Sequence, residues 1–281
     1  MEIRDTTNHF FELYSNGKLS FDLLDENYYK RFEHFEDYFR THCAKTKGRI
    51  EESIEKYDND IHKIRRVADF LPRIIQEVYA SAALYFGFEV NIDFNLFVGA
   101  YGSNAYAYKY SVFLAIEKLP SLEEYVKVIV AHEIAHIYHN YILLEQTETN
   151  WESIPLMNGI TSMYLEGVAT YISKRLVPDM PESVYYSYDD SGEDWFSFCR
   201  GNQKEIARAF LEISNWDIDG LREWFRLSGG KIFGYTRLGY FLGTIFIEDK
   251  LKEIDEYKIY TLLADESFLS IGNQWLEKTA S

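Results

Sequence analysis

The chain has 281 residues with 29 Lys+Arg against 45 Asp+Glu, a formal charge of −16, and 47% of its residues are hydrophobic and 17% aromatic. So acidic a balance speaks against a nucleic-acid binder, and so many apolar and aromatic side chains exclude a disordered chain. Two cysteines, Cys43 and Cys199, are too few for a disulfide-stapled scaffold and lack CxxC spacing, so a reducing, cytoplasmic setting is expected.

The N-terminal run MEIRDTTNHFFELYSNG has no basic segment followed by an apolar one. Later apolar runs are interrupted by Arg73, Gln76 and Glu77 or by His132 and Glu133, so neither a signal peptide nor a membrane partner is expected. Residues 21–86 read as helices, with Tyr28, Phe32, Phe35 and Phe39 three and four positions apart. Pro72 suits the first turn of a new helix, LPRIIQEVYASAALYFG, and Gly87 suits its C-terminal stop. Residues 1–86 are therefore expected to form an N-terminal helical region ahead of a domain at 87–281.

The period then changes. Val90, Ile92, Phe94, Leu96 and Val98 alternate with other positions, as in a half-buried strand. A break at Gly102, Ser103 and Asn104 separates this run from AYAYKYSVFLAIEKL, a second strand-like stretch, and together they predict a small antiparallel sheet over about 88–118. After Ser121 helical periodicity returns through EEYVKVIVAHEIAHIYHNYILL, and helices with loops fill the remainder. The least regular stretch is PDMPESVYYSYDDSGEDWF, rich in Pro, Ser, Gly and Asp. The expected class is α+β and predominantly helical.

The most informative string is His132-Glu133-Ile134-Ala135-His136, an HExxH inside an apolar helical run. Histidines at i and i+4 share one helical face, about 6 Å apart along the axis, so both imidazoles can approach one zinc ion at about 2.1 Å. Glu133 lies about 100° around the helix from His132, beside the ligands, where a carboxylate can serve as general base toward water. His139 is some 10 Å along the axis from His132, too far to join a site held by His132 and His136 on a straight helix. It either contacts substrate or caps the helix. The metzincin pattern would need Gly at 139 and His at 142, where this chain has His139 and Ile142. A third ligand must come from elsewhere; Glu166 is a downstream candidate, with Asp189, Asp190, Glu193 and Asp194 as rival carboxylates in a less ordered setting.

Glu166 lies in NGITSMYLEGVATYISKRL, a run that reads as a helix beginning near Asn158. With Gly167, Ala169 and Tyr171 it writes EGxAxY, and here the chain resembles the gluzincin metallopeptidases. In that group a second helix supplies a glutamate ligand, so the resemblance implies a zincin-like domain with zinc on His132, His136 and Glu166. Small residues after the ligand, Gly167 and Ala169, would let the two ligand-bearing helices approach closely. There is no GxMEN motif, since GAYGSN at 99–104 lacks the glutamate that binds a free substrate amine. The longer gap between His136 and Glu166, with the later GYTRLGYFLG, is similar to a bacterial family of predicted zinc-dependent proteases. The likeness covers roughly residues 90–250 and leaves the N-terminal helices unassigned.

The implied activity is zinc-dependent hydrolysis of peptide bonds in a peptide or protein substrate. Tyr235 and Tyr240, with Arg237 between them, are candidate donors to the oxyanion. The strand just before the HExxH helix, at 111–116, would line the cleft and pair with an extended peptide as edge strands do. The alternatives are a metal-binding or regulatory protein of the same fold without turnover, or a zinc hydrolase of a non-peptide bond.

Overall fold

A computed structural model describes residues 1–213 and 215–281. Two units make up the chain, Met1–Glu133 and Ile134–Ser281, and the boundary falls inside one long helix, Glu123–Thr147.

The first unit begins with strand β1 (Glu2–Asp5) and helix α1 (Thr7–Ser15). The aromatic-rich stretch after them is not one amphipathic helix, as its spacing predicts. It breaks into short turns, Phe21–Leu24, Asp25–Tyr29, His34–Asp37 and Tyr38–His42, two of them wound with the wider π-type pitch. The reason lies in what the tyrosines reach: Tyr28 and Tyr38 are fully buried and spend their hydroxyls on the backbone at 98–102. π-type turns re-aim side chains in this way.

Helix α2 (Lys47–Phe86) runs 40 residues straight through Pro72, where the sequence predicts a new start. Proline costs a helix interior roughly 3 kcal/mol through its missing N–H and ring clash. Here a continuous buried stripe outweighs that cost, with Val67, Leu71, Ile74, Ile75 and Val78 packed on both sides of it. Gly87 closes the helix in the left-handed region (φ 78°), its N–H bonded to the Ala83 carbonyl at 2.9 Å.

The sheet contains β1, β2 (Asp93–Phe97), β3 (Ala105–Tyr108) and β4 (Ser111–Ala115) in the order β1-β2-β4-β3. Only β3–β4 is antiparallel; β1–β2 and β2–β4 are parallel, so the sheet is mixed where an antiparallel one was expected. The run AYAYKYSVFLAIEKL is two strands, turned at Lys109 and Tyr110 with Lys109 left-handed (φ 53°). No Gly or Asn announces that turn, which is why it reads as one strand. The order also overturns the pairing role given to 111–116. Strand β4 is hydrogen-bonded on both edges, and the free edges belong to β1 and β3. Because β4 lies between β2 and β3, the segment joining those two must cross over the C-terminal end of β4.

Helix α3 (Glu123–Thr147) carries the boundary. In the second unit follow α4 (Gly159–Leu176), α5 (Glu193–Gly201), α6 (Gln203–Leu211), α7 (Ile218–Phe225), α8 (Leu238–Lys250) and α9 (Phe268–Ala280). Asn158 caps α4, its Oδ1 accepting from the N–H groups of Ile160 and Thr161, so the helix starts where the sequence indicates. The most extensive packing is α8 along α4, followed by α9 along α6. Among the described residues no helix is long and apolar enough to cross a membrane.

Candidate metal centre

Helix α3 is apolar on nearly every side: Val128, Ile129, Val130, Ala131, Ile134, Ala135, Ile137 and Tyr138 are all buried. Polar side chains in such a helix are costly unless they have work to do. His132 is 2% exposed and Glu133 9%, one residue apart, and His136 follows one turn later. Helix α4 supplies Glu166, whose Oε2 lies 3.6 Å from His136 Nε2. One ligand atom from each of His132, His136 and Glu166 can be chosen so that all lie within 4.8 Å of one another, and no other such His/Cys/Asp/Glu group of three occurs among the described residues.

The donor set fits zinc. Two donors at about 2.0–2.1 Å from a tetrahedral ion sit roughly 3.4 Å apart, close to the His136–Glu166 separation, and two imidazoles with one carboxylate leave the fourth position open. At 3.6 Å His136 Nε2 and Glu166 Oε2 are beyond ordinary hydrogen-bond distance, a separation that one shared ion could bridge.

The reason for Gly167 differs from the sequence expectation. A Cβ there would stand 2.3 Å from the carbonyl carbon and oxygen of Gly243, and one on Gly243 would stand 1.9 Å from the Met163 carbonyl oxygen. Gly167 therefore admits α8 against the back of α4, and not the HExxH helix. Gly243 is a residue the sequence reading passed over. Its signal is the Gly239-x-x-x-Gly243 spacing in an apolar helix, which allows backbones to touch.

His139 neither meets substrate nor caps the helix. It is fully buried, and its Nε2 lies 3.1 Å from the Tyr260 carbonyl and 3.0 Å from Tyr164 Oη, whose own proton goes to the Ile259 carbonyl. Burial pulls its imidazole pKa down to about 3, so it is neutral and donates to Tyr260. Tyr171, the last residue of EGxAxY, donates to Glu256 and accepts from Arg175. Ring stacking puts Tyr235 against Phe198 at 4.5 Å, while Tyr240 opens α8 under the guanidinium of Arg237, which also covers Tyr188. Of the rival carboxylates, Asp189 is occupied by the N–H and hydroxyl of Ser191, and none joins a metal-holding group.

The family model described as "Putative zinc dependent peptidase (DUF5700)" matches residues 7–217, and the chain belongs to this family. The match takes in the N-terminal helices that the sequence reading left unassigned, and it ends before α8. No curated protein and no solved structure matches the chain.

Proposed function

We propose that the protein hydrolyses peptide bonds, with zinc held by His132, His136 and Glu166. When bound, the ion supplies Lewis-acid polarisation of the scissile carbonyl and acidifies water. Glu133, one residue from a ligand and almost out of solvent, takes a proton from the attacking water and delivers it to the leaving amine. Tyr235 or Tyr240 donates to the developing oxyanion. The peptide pairs along β3, which has a free edge where β4 has none. The observation that carries this reading is the convergence of two imidazoles and one carboxylate, with a second carboxylate adjacent, in a chain whose family is described as zinc dependent.

The test is cleavage of denatured casein by the zinc-loaded chain with and without a chelator, beside metal analysis. One zinc per chain, lost in His132→Ala, is expected. Glu133→Gln should keep the zinc while turnover falls by about 10²–10⁴. Undiminished cleavage by Glu133→Gln would refute the mechanism; zinc binding with no cleavage by the unaltered chain would favour a binding or regulatory role.

A further inference from the structure

The segment crossing over β4, Val98-Gly99-Ala100-Tyr101-Gly102, belongs to no strand or helix, yet its backbone is almost fully bonded by side chains of the first unit. Glu117, immediately beyond the end of β4, accepts the Gly99 N–H on Oε2 at 2.8 Å and the Tyr101 N–H on Oε1 at 3.0 Å. The Tyr38 hydroxyl accepts the N–H groups of Ala100 and Gly102, each at 2.9 Å. Tyr28 accepts the Val98 N–H, Tyr57 donates to the Gly99 carbonyl, and Arg49 donates to the carbonyls of Ala100 and Tyr101. A Cβ at Gly99 would lie 2.6 Å from Tyr38 Oη and 2.9 Å from Glu117 Oε1, so the approach requires glycine. Tyr101 is held left-handed at φ 54°, a conformation that persists only where the surroundings over-determine it.

A fully buried carboxylate is a poor device for stability alone, because an apolar core residue avoids its desolvation. This one is aimed at the backbone of a segment that enters β3 at Ala105, with the Asn104 carbonyl already bonded to the Ala115 N–H. We infer that Glu117, with Tyr38, is a positioning residue that fixes the crossing segment and thereby presents the free edge of β3 to the substrate peptide. This rests on the peptidase reading above.

The groups facing Glu117 are Tyr28, Tyr29, Tyr38 and Cys43 from the wound turns and the residue after them, Arg49, Tyr57 and Lys63 from α2, and Tyr101 and Lys118 from its own surroundings. Burial pushes the tyrosines and the thiol up, away from neutrality, while it pushes Glu117 up to about 7. Protonation weakens its grip on two amides, because a neutral carboxyl accepts more weakly than a carboxylate.

The experiment compares the zinc-loaded chain with Glu117→Gln and Tyr38→Phe, using fluorescein-labelled denatured casein and hydrogen exchange at single amides. Glutamine keeps one acceptor and turns a donor toward the other amide. Both variants should raise KM about tenfold with kcat and zinc content within about twofold, and the amides of Gly99 and Tyr101 in Glu117→Gln, or of Ala100 and Gly102 in Tyr38→Phe, should exchange at least about tenfold faster while β2–β4 amides stay protected. The unaltered chain should show KM rising between pH 8 and pH 6, a rise absent in Glu117→Gln. Unchanged KM, or protection lost evenly across the unit, overturns the positioning role while cleavage by the unaltered chain keeps the peptidase reading. Casein bound but uncut by the unaltered chain, with weaker binding by both variants, defeats the peptidase reading and upholds the positioning role. Casein neither bound nor cut defeats both.

Discussion

Two places bring backbone into close contact by opposite means. At 98–102 the chain is held by side chains that reach it, two of its glycines making room for Tyr38 and Glu117. Where α4 meets α8 it is held by side chains that are missing, Gly167 and Gly243 letting one backbone lie on another. The first contact is polar, directional and responsive to protons, since every buried N–H there needs its acceptor. The second is dispersion and shape, indifferent to pH and intolerant of one added carbon. Each unit thus fixes backbone with its own sensitivity: the helix that carries Glu166 by steric fit, the segment leading into β3 by hydrogen bonds.

Gly243→Ala should show the largest effect. Its methyl would stand 1.9 Å from a carbonyl oxygen, so a loss of roughly 3 kcal/mol or more is expected in urea unfolding, equal at pH 5 and pH 8. Should the loss be small, the helices are not held by contact and the comparison fails. Glu117 should come next. Its carboxyl titrates near 7 in the folded chain against 4.5 as the reference, so the folded state holds an extra proton between those values. Stability from this group is therefore full below about 4.5 and declines as pH rises to about 7, by about 3 kcal/mol in all. The slope should appear in the difference between the unaltered chain and Glu117→Gln at matched pH, since the variant lacks the titrating carboxyl. Tyr38→Phe, which strands two amides but keeps the ring, should cost about 2 kcal/mol. A cost near zero would mean that water replaces the hydroxyl.

The sequence carried the parts set by local periodicity. The HExxH pair, the start of α4 at Asn158 and the stop of α2 at Gly87 follow from spacing and caps. What depends on a distant partner did not show. Pro72 breaks helices by local rule, and only the stripe packed on both sides of it overrides that rule. Tyr28, Phe32, Phe35 and Phe39 look like one helical face, and Tyr38 draws no notice, because periodicity is blind to where a hydroxyl ends. The parallel pairing of β1 and β4 with β2 joins residues some 90 and 18 positions apart, as in Glu2 with Asp93 and Asp93 with Ser111, which alternation alone cannot rank. Glu166 entered through resemblance rather than spacing, because a third ligand on a separate helix has no fixed offset.

The family match stops at 217, yet two supports behind the helices of the candidate metal centre come later: Gly243 against α4, and the Tyr260 carbonyl that accepts a hydrogen bond from His139. A fragment cut to the matched stretch would expose the rear of the Glu166 helix to water and leave a buried imidazole without its acceptor. Anyone expressing a minimal version of this protein should keep the chain at least through residue 260, or expect a product that aggregates before its metal content can be measured.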